Sequence, residues 1–289
     1  RKGFFGSIPQ AGVTIGMLMA TFIVSLMTLF SEEDFLSWGW RIPFLLSSVL
    51  VLLGLWIRKD IDETPEFKKV KSSGKVAKAP LRDTLKYHWR EVLIAAGLKV
   101  VETAPFYIFS TFVVSYATTT LSYQKSQALE AVTLGALVAT IMIPLMGLLS
   151  DKVGRQRMYA VSVFTLGLFI VPWFMLLNTG TTWGIVLATV IAFGVLWAPV
   201  TAVLGTLCSE IFTANVRYTG ITLGYQLGAA LAGGTAPLIA TGLLAKYHGD
   251  WVPVAWYLAV TVTISLIAIF FASRVKHAAP AINAQTNEL

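Results

Sequence analysis

The chain of 289 residues is 56% hydrophobic and 13% charged, with a mean hydropathy of +0.71. A soluble domain of ordinary composition is about 45–50% apolar and about 25% charged, so these values exclude a water-soluble protein and predict one that lies in a membrane. The formal net charge of +7 needs no nucleic-acid partner, because the positions of Lys and Arg along the chain explain it.

Apolar runs long enough to cross a bilayer recur along the chain. A hydrocarbon core about 30 Å thick takes about 20 apolar residues as one helix. The runs predict eight spanning helices, at 4–30, 40–57, 90–118, 128–149, 157–177, 182–209, 218–245 and 253–273. Between the second and third spans, the polar residues 58–90 indicate a solvated linker with a short surface helix.

Lys and Arg are distributed very unevenly between the two sides of these spans. Eighteen lie on the side of the linker, ten of them within it, and three lie on the opposite side: Arg41, Lys125 and Lys246. An excess of basic residues marks the cytoplasmic side of a membrane protein. The linker and the C-terminus are therefore predicted to be cytoplasmic.

A weak internal repeat relates the first span to the seventh. RKGFFGSIPQAGVTIG (1–16) aligns with RYTGITLGYQLGAALA (217–232) and places Arg1 on Arg217, Gln10 on Gln226 and Gly12 on Gly228. Equal orientation at a separation of six spans is what a parallel repeat of six-helix halves requires. We therefore expect a twelve-helix protein that is present here as eight helices, without its first four. The predicted units are 1–57, the last two helices of the N-terminal half, 58–89, the linker, 90–276, the C-terminal half, and 277–289, a cytoplasmic tail.

Small residues recur at four-residue intervals on two of the predicted helices. They are Gly12, Gly16 and Ala20 in the first span and Gly220, Gly224, Gly228 and Ala232 in the seventh. Such faces let helix backbones approach closely in lipid. They predict tight helix packing, and a sliding contact between two halves would use the same feature.

Lys99 and Glu102 stand inside the apolar stretch GLKVVETAPFYIF of the third span. Each charge at a helix centre costs about 2.5–3.5 kcal/mol on insertion scales, and a spacing of three residues lets the two pair on one face. The same face continues through Phe106 and Phe109, with Tyr107 alongside, while Pro105 removes a backbone hydrogen bond and predicts a kink.

Two interpretations of this pair remain open. In the structural one, Lys99 extends toward the cytoplasmic interface and Glu102 is its buried partner. In the functional one, which intramembrane charges favour, Lys99 binds a substrate carboxylate, and Glu102 either carries a proton or releases Lys99. Weaker candidates for substrate or proton binding are Gln10, Tyr225 and Gln226. Separately, Trp197 and Pro199 predict a distorted sixth span.

Enzymatic function is not indicated by the sequence. Cys208 is the only cysteine, no His, Asp or Glu spacing predicts a metal site, and the phosphate-binding G-x-x-x-x-G-K-[ST] loop of ATPases is absent. We expect no cofactor and no bound metal. A secondary carrier driven by an ion gradient remains the favoured class, and a channel is less favoured because no ring of charges appears.

The stretch GLLSDKVGRQR (147–157) has the pattern G-x-x-x-D-x-x-G-R-x-R, in which Gly154 suits a tight turn and Asp151 can cap a helix or pair with Arg155 or Arg157. It resembles the cytoplasmic loop signature of the major facilitator superfamily. Further segments resemble its metabolite:proton symporter family, which carries shikimate, 2-oxoglutarate, citrate, and proline or betaine. These segments are RKGFFGSIPQAG, WGWRIPFLLS (38–47), DETPEF (62–67) and CSEIFTANVRYTG (208–220).

The resemblance implies an all-α integral membrane protein of the bacterial inner membrane. It implies proton-coupled symport of a small organic acid or zwitterionic metabolite, with that solute, the proton, the bilayer and the missing N-terminal helices as partners. The alternative is a truncated, inactive remnant of such a carrier. By the same resemblance, a cytoplasmic gate that holds the two halves together would consist of Asp151, Arg155, Arg157, Glu210 and Arg217.

Overall fold

The structure is a computed structural model that describes residues 2–27, 31–59, 80–213 and 216–275, with Lys68 and Ser72 of the linker. Within these residues, eight helices are long and apolar enough to cross a membrane. We number them α1 (Lys2–Met27), α2 (Gly39–Lys59), α3 (Trp89–Thr119), α4 (Lys125–Val153), α5 (Arg155–Leu177), α6 (Thr182–Ile211), α7 (Arg217–Lys246) and α8 (Val252–Ala272). The eight predicted spans are confirmed to within a few residues.

Helices are the expected form here because lipid offers no partner for a free backbone N–H or C=O. Their ends are set by capping residues. Gly154, at a φ of 95°, ends α4 and allows α5 to start at once, which confirms the tight turn predicted there. Thr181 caps α6 by accepting from the Gly184 amide at 3.0 Å. Two short helices, Glu32–Ser37 and Pro80–Tyr87, lie outside the spans, and the second confirms the surface helix expected in the linker.

Three of the spans contain wider, π-helical turns. They lie at Ile108–Phe112 in α3, Val190–Leu196 in α6 and Ala229–Gly233 in α7. The turn in α6 ends directly before Trp197 and confirms the distortion predicted for that span. In α3 the irregular turn begins three residues after Pro105. Such turns inside helices are frequent at functional sites.

Helix α3 lies at the centre of the described structure, packed against α6, α7 and α8. Its contact with α8 is close, because a Cβ added at Gly97 would lie 2.8 Å from the Ala268 Cβ. The Ser265 hydroxyl of α8 donates to the Gly97 carbonyl at 2.6 Å, and the Tyr159 hydroxyl of α5 donates to the Leu98 carbonyl at 2.6 Å. These bonds fix the depth and rotation of α3.

The predicted small-residue packing holds for one of the two helices. On α7, a Cβ added at Gly224 would lie 2.5 Å from the Ala95 Cβ, and one at Gly228 would lie 2.7 Å from the Lys99 Cβ. The prediction is confirmed there. On α1, a Cβ at Gly12 or Gly16 would meet no atom of the described residues within 4 Å, so that face has no close neighbour among them and its packing stays a prediction.

Helix α1 instead approaches α4 through another set of small residues. A Cβ added at Gly147 would lie 2.7 Å from the Ser7 Cβ, and the Thr140 hydroxyl of α4 donates to the Thr14 hydroxyl at 2.8 Å. The face of α1 that touches α4 is offset from the face that carries Gly12 and Gly16. The first span therefore packs on the helices that follow the linker.

Some sequence predictions fall outside the described residues. They concern Arg1, the end of the first span at 28–30, the DETPEF segment at 62–67 and the tail at 277–289.

Helix α2 is the least enclosed of the spans, since its segment Ile42–Lys59 buries no residue against the described structure.

Candidate functional site

The charged pair of α3 forms in the structure. The Lys99 Nζ lies 2.5 Å from the Glu102 Oε2, and the two side chains are 15% and 8% exposed. One helical turn separates them, as the spacing of three residues predicts. The pair therefore sits in the centre of the helix bundle with little access to water.

Both carboxylate oxygens of Glu102 accept hydrogen bonds. Besides Lys99, the Thr103 hydroxyl donates to Oε2 at 3.0 Å, and the Thr201 hydroxyl of α6 donates to Oε1 at 3.1 Å. The Trp197 indole N–H donates to the Glu102 backbone carbonyl at 2.7 Å. A buried ion pair is tolerated only when further hydrogen bonds satisfy its remaining groups. Helix α6 supplies one of them through Thr201, while Trp197 holds the backbone of the same residue.

The ammonium group of Lys99 is enclosed on its other side by α7. The Nζ lies 4.8 Å from the centroid of the Tyr225 ring, a distance at which the ring face attracts a cation. The stem of Lys99 lies against Gly228, where a side chain on α7 would collide with it. The close packing of α7 on α3 thus sets where the Lys99 side chain runs.

Aromatic rings cover the pair from the side of the α3 π turn. The Phe106 centroid lies 5.3 Å from the Trp197 centroid, 5.7 Å from that of Phe193 and 5.3 Å from that of Tyr107. Tyr107 remains 37% exposed. The predicted aromatic wall is thus present around Phe106.

The sequence predicts Phe109 on the same face of α3 as Phe106, and that prediction is wrong. Its ring is buried against Trp173 of α5, with the centroids 5.0 Å apart. The π turn at Ile108–Phe112 adds a residue to the helical turn, so the face that carries Lys99 and Phe106 does not continue to Phe109.

The weaker candidates separate into two groups. The Tyr225 hydroxyl is buried and has no hydrogen-bond partner among the described residues, and the Gln10 side chain reaches the same place from α1. A Cβ added at Gly205 of α6 would lie 3.3 Å from the Gln10 Nε2 and 3.8 Å from the Tyr225 oxygen. The missing side chain of Gly205 therefore leaves a polar gap between three helices. Gln226, by contrast, is exposed, and its side chain makes no hydrogen bond within the described ranges.

At the end of the spans near Gly154, most of the predicted gate residues come together. Arg155 bonds Glu210 of α6 through Nη1 and Asp151 through Nη2, the latter at 3.1 Å. The Arg217 Nε donates to the Phe212 carbonyl at 3.4 Å, and with Glu210 and Lys2 the Arg217 side chain lines a cavity of about 230 Å³. Arg157 is exposed and does not join this network of described residues.

Asp151 has a second role that its position in the sequence does not reveal. Its Oδ1 accepts from the Gly3 amide at 2.8 Å and its Oδ2 from the Phe4 amide at 3.3 Å. The free N–H groups at the start of a helix attract negative charge, and Asp151 supplies that charge to α1. Helix capping was expected of Asp151, and so was pairing with Arg155 or Arg157. The structure shows it capping the first span and pairing with Arg155.

Two residues of the central site were not identified as ligands of Glu102 from the sequence. The sequence assigns no role to Thr201 and predicts for Trp197 only a distorted sixth span. Their spacing of four puts both on one face of α6, and this spacing indicates that the two could contact the same neighbouring helix. However, they lie 99 and 95 residues from Glu102, and no local pattern connects α6 to α3.

Comparison with known proteins gives a consistent result. A family model described as Major Facilitator Superfamily matches residues 1–237. The chain is 33% identical to the shikimate transporter of Escherichia coli (strain K12) over 92% of its own length and 61% of the relative's. It is 31% identical to the inner membrane metabolite transport protein YhjE of the same organism, over 96% of its own length and 64% of the relative's. It is 28% identical to the proline/betaine transporter of Salmonella typhimurium, over 92% of its own length and 55% of the relative's. The chain thus spans about three fifths of the length of these relatives.

Proposed function

Since the chain belongs to the Major Facilitator Superfamily, we propose that it is part of a secondary active transporter of the inner membrane. The transporter moves a small organic acid or a zwitterionic metabolite together with a proton. The names of the relatives, carriers of shikimate, metabolites, and proline and betaine, support this substrate class. The single observation that carries the proposal is the buried Lys99–Glu102 pair.

The binding of substrate is coupled to the binding of a proton because the buried site is most stable when its total charge is zero. In the empty site Lys99 neutralises Glu102. A substrate carboxylate bound to Lys99 would leave Glu102 as an unpaired anion, and a proton on Glu102 alone would leave Lys99 as an unpaired cation. An unpaired buried charge costs about 3–5 kcal/mol. For a substrate that binds as an organic anion, substrate and proton together restore neutrality, so each favours the binding of the other.

Each neighbour of the pair has a role in this scheme. Thr201 holds the Glu102 carboxyl when Lys99 turns to the substrate, because it bonds the oxygen that Lys99 does not use. Phe106 and Tyr107 provide an apolar wall for the body of the solute. Tyr225 and Gln10 offer hydrogen bonds to a second polar group, and Gln226 is kept as a candidate at the exposed edge of α7.

We further propose that the contacts around Asp151 form a cytoplasmic gate. Arg155 and Glu210 link α5 to α6, Asp151 binds the start of α1, and Arg217 lies beside Glu210. Single exposed ion pairs contribute about 0–1 kcal/mol, so a network that includes the helix start is needed to bias two states. Arg157 is included in the proposed gate only because the sequence resembles the loop signature of the family. The excess of basic residues supports a cytoplasmic location for this side, for the linker and for the C-terminus.

Asp151→Asn is expected to open the gate while leaving the shape of the side chain unchanged. A charge at a helix start contributes up to about 2 kcal/mol when it is partly buried. The one cysteine, Cys208, is buried near the same end of α6, so its alkylation rate reports opening. We expect the rate to rise about tenfold. Lys152→Gln, an exposed neighbour, should not change it, and an unchanged rate in Asp151→Asn would contradict the gate.

We propose that the transport unit also includes helices equivalent to those of the relatives outside the matched part. The relatives are longer than this chain, and α2 presents a largely exposed apolar surface to which such helices could pack. Coexpression of the corresponding segment of a relative tests this proposal through recovery of the two proteins as one complex.

The proposed function is tested by transport into vesicles that contain the purified protein, alone and together with the relative's segment described above. Labelled shikimate, proline and betaine are offered with a pH gradient, with and without a protonophore, and separately in exchange without a gradient. One of these solutes should accumulate only with the gradient. Glu102→Gln, which resembles the protonated carboxyl, should lose accumulation but keep exchange. If none of them is transported in either case by protein confirmed in the membrane, the carrier proposal fails and an inactive remnant is favoured.

A further inference from the structure

A second cavity lies far from the charged pair, where the first turn of α3 meets the last turn of α8. It has a volume of about 590 Å³, large enough to hold the headgroup of a lipid. Its walls come from both helices and from the residues that directly follow α8, and they include Arg90 and Arg274. Neither of these residues is used in the transport scheme.

The two arginines give the cavity a net positive charge. Neither guanidinium has an acidic partner among the described residues. Each lies over an aromatic ring instead, Arg274 at 4.1 Å from the Phe270 centroid and Arg90 at 5.4 Å from that of Trp89. Glu91 also lines the cavity, and its carboxylate lies 3.8 Å from the His88 ring. Two positive charges against one negative charge leave room for one more anion.

The rest of the cavity wall is apolar and faces outward. Leu93 is 57% exposed, Phe271 is 52% exposed and Trp89 is 50% exposed, although all three are large hydrophobic side chains. They lie at the ends of spans, where Trp side chains mark the boundary between headgroups and acyl chains. The charged part of the cavity is thus continuous with a surface that is suited to hydrocarbon.

Helix α3, which holds Arg90, and helix α8, which ends just before Arg274, are locked to each other two turns deeper. Gly97 of α3 lies against Ala268 of α8, and the Ser265 hydroxyl bonds the Gly97 carbonyl and accepts from the Val101 amide at 3.1 Å. The cavity is therefore built on a fixed joint.

We propose that this cavity binds one anionic phospholipid, with the phosphodiester between Arg90 and Arg274 and the acyl chains along Leu93 and Phe271. Guanidinium groups form paired hydrogen bonds with phosphate oxygens, and basic pockets between spans are suited to lipid headgroups. The single negative charge of a phosphodiester matches the net charge of the cavity. A free phosphate would leave the apolar wall without a partner. The site does not depend on the transport proposal.

Native mass spectrometry of the purified protein with phosphatidylglycerol or phosphatidylethanolamine tests this site. The protein should retain phosphatidylglycerol in preference. Arg90→Gln with Arg274→Gln should weaken that binding about 30-fold, since each basic residue contributes about a fivefold effect. The matched control is Arg58→Gln with Lys59→Gln, which removes two exposed basic charges at the end of α2 and should change little.

Three results would overturn the proposal. The double arginine variant could bind phosphatidylglycerol as well as the unchanged protein, or the α2 control could lose as much affinity as that variant. Inorganic phosphate or glycerol phosphate could also displace the lipid at equal concentration, which would identify a site for a free anion. Thermal unfolding of both variants, expected to be unchanged because all four residues are exposed, shows that each protein is folded.

Discussion

Lys99→Met is expected to lower the free energy of unfolding by about 3–5 kcal/mol, one of the two largest effects predicted for a single substitution in this protein. Methionine fills a similar volume, so packing is retained, but Glu102 is left as an uncompensated charge at 8% exposure. Removing one partner of a buried ion pair costs about that much. Denaturation of the purified variant in mixed micelles, followed by circular dichroism, measures the change.

The double variant Lys99→Met with Glu102→Gln separates the charge from the position. Both charges are gone, and the Gln side chain can accept from one of the two threonine hydroxyls through its oxygen and donate to the other through its amide group. Replacing a buried pair as a whole is often neutral for stability. We therefore expect the double variant to recover most of the loss. If it is as unstable as Lys99→Met alone, then packing at Lys99, and not the unpaired carboxylate, determines stability.

Gly228→Ala is expected to disrupt the central site by pushing α7 away from α3. The added Cβ would lie 2.6 Å from the Ala96 carbonyl oxygen and 2.7 Å from the Lys99 Cβ. A backbone oxygen cannot move aside as a flexible side chain can, so α7 itself must shift. Overpacking of this kind costs about 1–3 kcal/mol, and the Lys99 side chain moves with the helix. The free energy of unfolding in mixed micelles and the rate of transport should both fall.

The matched control for Gly228→Ala lies on the same helix. A Cβ added at Gly242 would meet no atom of the described residues within 4 Å. Because Ala is a better helix former than Gly by about 0.5–1 kcal/mol, Gly242→Ala should leave stability unchanged or raise it slightly. Equal effects of the two substitutions would mean that α7 does not pack on α3 as closely as described.

The spans and the charged pair could be predicted from the sequence because both depend on local patterns. Apolar runs of about 20 residues define spans wherever they occur, and a spacing of three brings Lys99 next to Glu102 whatever surrounds the helix. Gly154 is similar, since the turn it allows is a property of the residue itself. None of these features requires knowledge of which helices are neighbours.

Other features depend on helix neighbours and could not be predicted. The bond from Thr201 to Glu102 and that from the Gly3 amide to Asp151 join residues far apart in sequence. The faces of the glycine-rich helices illustrate the same limit. Gly12 and Gly228 align in the internal repeat, yet only Gly228 has a neighbour within 4 Å in the described structure.

The π turn of α3 shows why a helical face cannot be extended indefinitely from sequence. Regular spacing places Phe109 with Phe106, but the wider turn at Ile108–Phe112 directs Phe109 to Trp173. The proline that predicts an irregular helix is Pro105, three residues before the turn begins. A sequence can thus indicate that a helix is distorted without giving the residue at which its faces change.

The measurement that tests the central proposal most directly is transport by the double variant Lys99→Met with Glu102→Gln. If the pair is kept for transport, this protein should be nearly as stable as the unchanged one and should accumulate no solute under a pH gradient. Gradient-driven accumulation at the unchanged rate would contradict the proposal. It would leave Lys99 and Glu102 as a structural pair at the joint of α3, α6 and α7.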